Sequence, residues 1–403
     1  MLMMRLRTIC WLAFAARVLA LIIIINFSHL FTAGYLRSTF QSDDLRYQEG
    51  AVIYSQTAKS IIDIRAYLNA FRQVGDDTGY SDVIELWYWM VCVLMYLFSH
   101  VAIVKLINIL FAVACVSLIY KICRLVFPDT PQVAPMASMM YAVFPYPVIF
   151  SCFLYKDQFL TLILLAIIYL AYKSDSLFSP FKFIQLLFLL IVFNMLRGGL
   201  FPVIFVCAIW MNMTRKGRKL SLNYKTILLL LFTMIISVIL YKQNADIIMH
   251  KLEAYVKNRA ADTDLQGSMI QYFLINNPLD LWKLPFAYMF TLFSPLHKGG
   301  KLTSWDSLTG LLNVINIVVV IGNFVYLFLK RKGNVQFWLA IMLLFTIMLI
   351  ISMGVSRHFY FLVPFSFIFF ADYCIRYRSL STAINKLSLL LVYFYSVILV
   401  FSL

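Results

Sequence analysis

The sequence predicts an all-α membrane protein that crosses the bilayer many times. Of its 403 residues, 63% are hydrophobic, and the mean hydropathy is +0.85. Apolar runs of about 20 residues, the length that an α-helix needs to cross the hydrocarbon core, recur along the chain. Lys and Arg lie mostly in the short connections between these runs. We expect one integral membrane domain over residues 1–403, because no linker, low-complexity tract or internal repeat divides the chain.

The apolar runs and their basic flanks indicate about 11 transmembrane helices. The first run has the position of a signal peptide, but residues 26–34 lack a clean small-residue cleavage site, so we expect a retained span. The predicted spans lie at 9–33, 101–120, 134–151, 158–172, 182–196, 199–214, 225–241, 309–329, 336–353, 359–375 and 385–402.

Basic residues orient these spans through the positive-inside rule. If the N-terminus is cytoplasmic, nearly every cytoplasmic connection carries Lys or Arg: Arg5 and Arg7, Lys121 and Arg124, Lys173, Arg215 to Lys219, Lys330 to Lys332, and Arg376 with Arg378. Two long segments, 34–100 and 242–308, then lie outside. They hold eight and six of the 18 acidic residues, which agrees with this topology although acids determine it only weakly.

Two apolar stretches in the outside segments are interpreted as surface helices rather than spans. Val83 to Phe98 is short for a span and carries the Trp and Tyr residues that favour the headgroup level. Counting it as a span would invert the topology of everything after it. The piece from Leu284 to His297 is broken by Pro285 and Pro295, which fits a re-entrant or surface-lying helix.

The net charge of +16 is explained by the connections between spans, which argues against nucleic-acid binding. The seven cysteines are scattered singly in or beside apolar runs, without a CxxC pair or a His at ligand spacing. We therefore expect small core residues rather than a disulfide or zinc framework.

Carboxylates at the outer face are the candidate catalytic residues. Asp43 and Asp44 follow the first span, and Lys156 with Asp157 lies in a tight outside turn between two spans. Ionisable groups at membrane depth are costly and are therefore functional candidates. The alternative for Asp157 is a plain helix boundary, where it caps the helix that follows.

Cations on the same outside face are candidate phosphate ligands. Arg197 stands between two spans, and Arg357 with His358 has the same setting. A guanidinium can hold a lipid-linked phosphate through two hydrogen bonds; the alternative is a side chain that extends into the headgroup layer. Lys298 and Lys301 form a looser candidate, which we interpret as a solvated loop.

Three stretches carry a family resemblance: Asp43 to Tyr47, Ile103 to Phe127, and Ala142 to Asp157. In this order they resemble the GT-C superfamily of membrane glycosyltransferases, in the form found in bacterial surface-polysaccharide synthesis, where Wzy-type repeat-unit polymerases also occur. The resemblance implies a multi-span helical enzyme with a polyprenyl-linked sugar donor and a periplasmic active site. It also implies that Asp43 or Asp44 acts as base or metal contact and that Asp157 is the second acid.

Two departures from the GT-C pattern concern the metal. The family carries an acidic pair directly after the first span, whereas Asp43 comes about ten residues later, and Lys156 precedes the second acid. The lysine weakens a metal-dependent assignment and leaves a metal-free, arginine-assisted polymerase open. The sequence therefore establishes no cofactor, and a divalent metal stays an option.

The leading hypothesis is transfer of a polyprenyl-linked sugar or repeat unit to a lipid-linked or glycan acceptor, on the periplasmic face of the bacterial inner membrane. Carboxylates can remove the proton of an acceptor hydroxyl, and cations can neutralise a phosphate leaving group. Other polysaccharide-assembly proteins are candidate partners. A single-sugar transferase and a repeat-unit polymerase are not separated. The rivals are a flippase or transporter, which long outside segments disfavour, and a non-catalytic scaffold.

Overall fold

A computed structural model gives an all-helical fold, as the sequence predicts, without a strand among the residues that it describes. The structure describes residues 5–26, 42–74, 85–174, 177, 179–197, 200–214, 282–283, 318–326, 328–329, 335–352 and 360–401. The predicted span at 225–241 lies outside these residues, as does the second outside segment apart from 282–283.

The helices follow the predicted apolar runs in most of the described chain. In chain order they are α1 (Leu6–Asn26), α2 (Ser42–Thr57), α3 (Ile64–Val74), α4 (Leu86–Phe98), α5 (Val101–Val126), α6 (Val133–Val143), α7 (Pro145–Phe150), α8 (Asp157–Lys173), α9 (Pro180–Leu196), α10 (Phe201–Thr214), α11 (Val335–Ser352), α12 (Val363–Arg376) and α13 (Arg378–Phe401). Residues 318–326 form a further helical stretch.

Within the described residues, two helices, α1 and α5, are long and apolar enough to cross a membrane. They have 21 and 26 residues, and both reach a mean hydropathy of 2.5 over their most apolar window. Other apolar helices are shorter: α4, α6, α9 and α10 have 11 to 17 residues. The count of about 11 spans therefore stays a prediction.

Helix α5 is the centre of the bundle. It packs against α1, α6 and α8. Its buried face presents small and branched residues at helical spacing, among them Ala112, Val116 and Ile119. The facing side of α8 buries Leu160 and Leu164 in the same core cluster, so α5 and α8 fix each other's position.

The predicted span at 134–151 is interrupted in the structure, which corrects the expectation of one continuous helix. α6 ends at Val143, Phe144 is extended (φ −64°, ψ 135°), and α7 begins at Pro145. Proline disfavours a helical conformation in the residue before it and has no N–H for the carbonyl four residues earlier. That carbonyl belongs to Tyr141, which therefore needs another donor.

Arg17, in the middle of α1, is the donor for the carbonyls at this break. Its guanidinium donates to Tyr141 O at 2.9 Å and to Ala142 O at 2.7 Å, and to Ala13 O in its own helix at 3.1 Å. The side chain is fully buried and pairs with no carboxylate in the described part of the chain. Such a cation is costly unless hydrogen bonds compensate for lost water, so Arg17 joins α1 firmly to the broken helix.

Helices α2, α3 and α4 form a small layer, here called the cap, in which α2 packs on both α3 and α4. Gly50 permits this packing, because a Cβ there would lie 1.8 Å from the Tyr88 hydroxyl. Helix α4 has 13 residues, about 20 Å of length, which is less than a hydrocarbon core of about 30 Å. It ends at Phe98, the next residue, Ser99, has a left-handed φ of 53°, and α5 begins at Val101.

Reporter fusions test whether α4 leaves the topology unchanged. A periplasm-dependent phosphatase fused after Ser60, in the cap, should be active, and one fused after Asp129, between α5 and α6, should be inactive. A crossing by α4 would place Asp129 on the side opposite to this expectation. Phosphatase activity after Asp129, in a fusion protein that accumulates in the membrane, therefore contradicts the interpretation.

Replacing Arg17 tests the account of the broken helix. Arg17→Met should destabilise the fold by about 2–6 kcal/mol, because two buried carbonyls lose their donor at about 1–3 kcal/mol each. Thermal unfolding in detergent measures the change. Arg7→Met is the matched control, since Arg7 is an exposed residue of the same helix. Equal melting temperatures for Arg17→Met and the unmodified protein would show that the carbonyls find other donors.

Candidate functional site

Ionisable side chains collect at one end of the bundle, where α5 and α8 begin and α9 ends. The cap covers this end. Here called the polar end, it comprises Asp44, Glu85, Lys105, Lys156, Asp157 and Arg197. Three ion pairs link these residues across five segments of the chain.

Asp44 is an anchoring residue of the cap. One carboxylate oxygen accepts from Lys105 Nζ at 3.0 Å, and the other accepts from the backbone N–H of Leu154 at 2.5 Å. Both side chains of the ion pair are buried, with exposed fractions of 10% for Lys105 and 5% for Asp44. Both oxygens of this carboxylate already accept hydrogen bonds from the protein, which leaves neither well placed to take a proton from a substrate, so this geometry favours attachment over catalysis.

The chain between α7 and α8 is non-helical and buried, so its backbone groups depend on side chains. Asn108 Nδ2 donates to Phe153 O at 2.6 Å, and Trp87 Nε1 donates to Leu154 O at 2.7 Å. With the bond from Leu154 N to Asp44, consecutive backbone groups find partners in the cap and α5. The cap is thereby fixed to the turn that leads into Lys156 and Asp157.

Glu85 and Lys156 form the most accessible ion pair of the polar end. Lys156 Nζ lies 2.7 Å from Glu85 Oε1, and the two side chains are 29% and 22% exposed. The Tyr47 hydroxyl donates to the same oxygen at 3.1 Å. Glu85 was predicted only as one of the acids of the outside segment. Its role could not be found from sequence, because its partner lies 71 residues away.

Asp157 and Arg197 pair at the junction of α8 and α9. Their nearest atoms are 3.9 Å apart, which is an ion-pair distance but too long for a hydrogen bond. Asp157 is 3% exposed and occupies the first turn of α8, where the helix dipole favours its negative charge. The Arg197 side chain is 19% exposed and lies over the ring of Phe361, 5.4 Å from its centroid. An accessible cation thus stands beside a buried carboxylate.

A buried polar network begins at the residue after Asp157. The Gln158 amide bonds with two hydroxyls: Nε2 donates to Tyr141 at 3.0 Å, and Oε1 accepts from Tyr360 at 2.7 Å. This network fixes the first turn of α8 against α6 and the start of α12. None of these three residues was predicted from the sequence as part of a site. The available signal was an amide and two hydroxyls within runs of apolar residues, where each needs a partner.

A second buried cluster lies at the opposite end of the bundle. Asp372 accepts from Arg376 Nε at 2.6 Å and from the Tyr326 hydroxyl at 2.5 Å, and Arg376 also donates to Thr130 at 3.2 Å. From the sequence, Arg376 was interpreted only as a basic residue that orients the spans. Because every polar group of this cluster binds another, it holds α12 to the connection between α5 and α6.

The structure brings together four of the seven predicted site residues: Asp44, Lys156, Asp157 and Arg197. Asp43 lies in the first turn of α2, but its side chain is outside the described part, as are Arg357 and His358. Their predicted roles stay predictions. Within the described residues, no group of three or more His, Cys, Asp or Glu side chains is arranged to hold a metal ion.

Asp63, an acid of the first outside segment, has a structural role. It precedes α3 and accepts from the backbone N–H of Ala66 at 3.0 Å and of Lys59 at 3.1 Å. These hydrogen bonds lower the pKa of the Asp63 carboxyl. The bond from Ala66 is that of a helix N-cap, and the bond from Lys59 holds the preceding turn, so neither needs a catalytic explanation.

Comparisons with models of protein families, with curated proteins and with solved structures find no match for this chain. We therefore infer the function from the chemistry of the polar end.

The Asp44–Lys105 pair gives a test of the anchoring role. Asp44→Asn should destabilise the protein by about 3 kcal/mol, because Lys105 keeps a buried charge without its counter-ion. The double change Asp44→Asn with Lys105→Met removes both charges and should recover part of that loss. Thermal unfolding in detergent gives both values.

Glu49→Gln is the matched control for this pair, since Glu49 is an exposed carboxylate of the same helix. A double variant no more stable than Asp44→Asn alone would show that the charge pairing does not account for the loss.

Proposed function

We propose that the chain is a multi-pass membrane protein with about 11 spans, as its apolar runs indicate. The outward faces of its helices support this. Large apolar residues at helical spacing form an exposed stripe along α9, with exposed fractions of 52–68%: Phe181, Ile184, Phe188, Ile191 and Met195. An apolar stripe of this kind on the outside of a bundle is the surface that lipid chains cover.

We further propose that the protein catalyses glycosyl transfer from a sugar or repeat unit linked to polyprenyl phosphate or diphosphate, in bacterial surface-polysaccharide synthesis. It would act as a GT-C-like glycosyltransferase or as a repeat-unit polymerase, at the periplasmic face of the inner membrane. The observation that carries the proposal is the polar end. Two partly exposed cations, Lys156 and Arg197, flank the buried carboxylate of Asp157 at the end of an apolar bundle.

The chemistry assigns a role to each of these three groups. The acceptor hydroxyl attacks the anomeric carbon of the donor sugar, and the carboxylate of Asp157 takes the hydroxyl proton. The bond from the anomeric carbon to the phosphate oxygen breaks, and the phosphate leaves with the electron pair. Lys156 and Arg197 neutralise the charge that grows on this phosphate. Asp43, Arg357 and His358 stay in the proposal as further contacts, and a divalent metal remains open.

A lipid-linked oligosaccharide flippase or transporter is the second candidate, and one observation favours it. The broken helix α6–α7 and the buried Arg17 resemble the discontinuous helices and internal charges with which transporters build central sites. Against it, the partly exposed charges gather at one end of the bundle. Both terminal nitrogens of Arg17 donate to backbone carbonyls.

Reconstitution in proteoliposomes distinguishes the two candidates. The purified protein receives fluorescent lipid-linked oligosaccharides extracted from its source cells. Elongated product with release of polyprenyl phosphate or diphosphate is expected, whereas lipid movement across the bilayer without bond formation would establish the flippase instead.

Variants of the three site residues test which of them take part in glycosyl transfer. Asp157→Asn should lower the elongation rate about 100-fold, as loss of a general base does. Arg197→Gln and Lys156→Gln should each lower it about ten-fold, through loss of a charge-assisted hydrogen bond. Glu49→Gln and Lys59→Gln, which change exposed residues of the first outside segment, should keep the full rate. Full activity of Asp157→Asn would remove Asp157 from the site.

A further inference from the structure

The two ion pairs that join the cap to the bundle differ in their surroundings. The Asp44–Lys105 pair is buried, and Asp44 is held additionally by the backbone of Leu154. The side chains of the Glu85–Lys156 pair are about three to four times more exposed, at 22–29% against 5–10%. Buried pairs are costly to separate, whereas exposed pairs contribute little and exchange readily with water or with other ions. The first pair is therefore a fixed attachment and the second an exchangeable one.

The Glu85–Lys156 contact leaves donor and acceptor capacity unused. Only Oε1 of Glu85 accepts hydrogen bonds from described residues, and it accepts two, from Lys156 and Tyr47. Lys156 carries three ammonium protons, and Glu85 is its one partner in the described part of the chain. An ammonium and a phenol hydroxyl thus converge on one oxygen of a partly exposed carboxylate.

We propose that the Glu85 carboxylate occupies the place of the donor phosphate on Lys156 and Tyr47, and that the phosphate displaces it on binding. This inference rests on the proposed function. The ligand class is a phosphate monoester or diphosphate on an isoprenoid chain. Glu85 then competes with the phosphate for Lys156, and it neutralises the charge of Lys156 while no phosphate is bound.

Charge and geometry favour the exchange. A phosphate monoester carries close to two negative charges and three acceptor oxygens, against one charge and two oxygens for a carboxylate. Lys156 and Tyr47 supply donors to either group. A phosphate can therefore form the same contacts with a larger electrostatic attraction.

The displaced side chain can leave without moving the cap. The backbone N–H of Glu85 donates to the Tyr67 hydroxyl at 3.0 Å, which holds the start of α4 in place. Only the side-chain torsions of Glu85 must change, and the carboxylate already faces water in part.

Binding of farnesyl phosphate to the full-length protein in detergent tests the exchange. Calorimetric titration compares it with farnesol, which lacks the charge, and with inorganic phosphate, which lacks the lipid. Glu85→Gln should tighten farnesyl phosphate binding about five-fold, because the competing charge is gone. Lys156→Gln should weaken it about ten-fold, because a charge-assisted bond is lost. The double variant should bind like Lys156→Gln alone, and Glu49→Gln should bind like the unmodified protein.

The opposite signs of the two changes are the diagnostic result. A purely structural ion pair would make both variants bind more weakly, because either change would disturb the same contact. Weaker or unchanged binding in a Glu85→Gln protein that keeps its melting temperature overturns the inference, as does equal binding of farnesol. Inorganic phosphate binding as tightly as farnesyl phosphate overturns the lipid-linked class.

The failure of this inference is distinguishable from failure of the proposed function. If Glu85→Gln tightens farnesyl phosphate binding while no variant elongates glycan in proteoliposomes, the phosphate site stands and the transferase does not. If glycan is elongated but Glu85→Gln does not tighten binding, the transferase stands and the exchange does not.

Discussion

The structure depends on one requirement: inside an apolar bundle the backbone leaves helical geometry at Phe144 and again between α7 and α8, so its polar groups need partners from elsewhere. Arg17 of α1 supplies them at the proline break, and Asn108, Trp87 and Asp44 supply them before α8. An unpaired backbone group in such surroundings costs free energy comparable to a lost hydrogen bond or more. The fold is therefore held together by polar side chains at the places where its helices are interrupted.

This requirement also positions the candidate site. The turn whose backbone is bound by the cap and by α5 leads directly into Lys156 and Asp157, and Gln158 fixes the first turn of α8 from the other side. The three consecutive residues thus combine an accessible cation, a buried carboxylate and a buried amide. Their surroundings differ because each faces a different neighbour: the cap, α9 and the α6–α12 contact.

The sequence predicted the all-helical class and most helix limits, because apolar length and charged ends are local signals. It also predicted the grouping of Lys156, Asp157 and Arg197. The break at Pro145 was missed, because the run at 134–151 was taken as one span despite its prolines. Arg17 was missed with it, since its role exists only where the break exposes carbonyls. Asp43 or Asp44 was predicted as a base, and the two oxygens of Asp44 bind Lys105 and Leu154, partners 61 and 110 residues distant. Such pairings depend on tertiary structure, which residue spacing does not reveal.

The short link between the cap and α5 gives the bilayer an influence on the site. Only Ser99 and His100 separate α4 from α5, and the 26 residues of α5 extend about 39 Å, against a hydrocarbon core of about 30 Å. A helix longer than the core tilts, and the tilt changes with lipid thickness. In a membrane, a change in tilt at α5 passes through the left-handed turn at Ser99 to the cap, which carries Glu85. Under the proposed multi-pass topology, lipid composition thereby becomes a physical variable of the contact between Glu85 and Lys156.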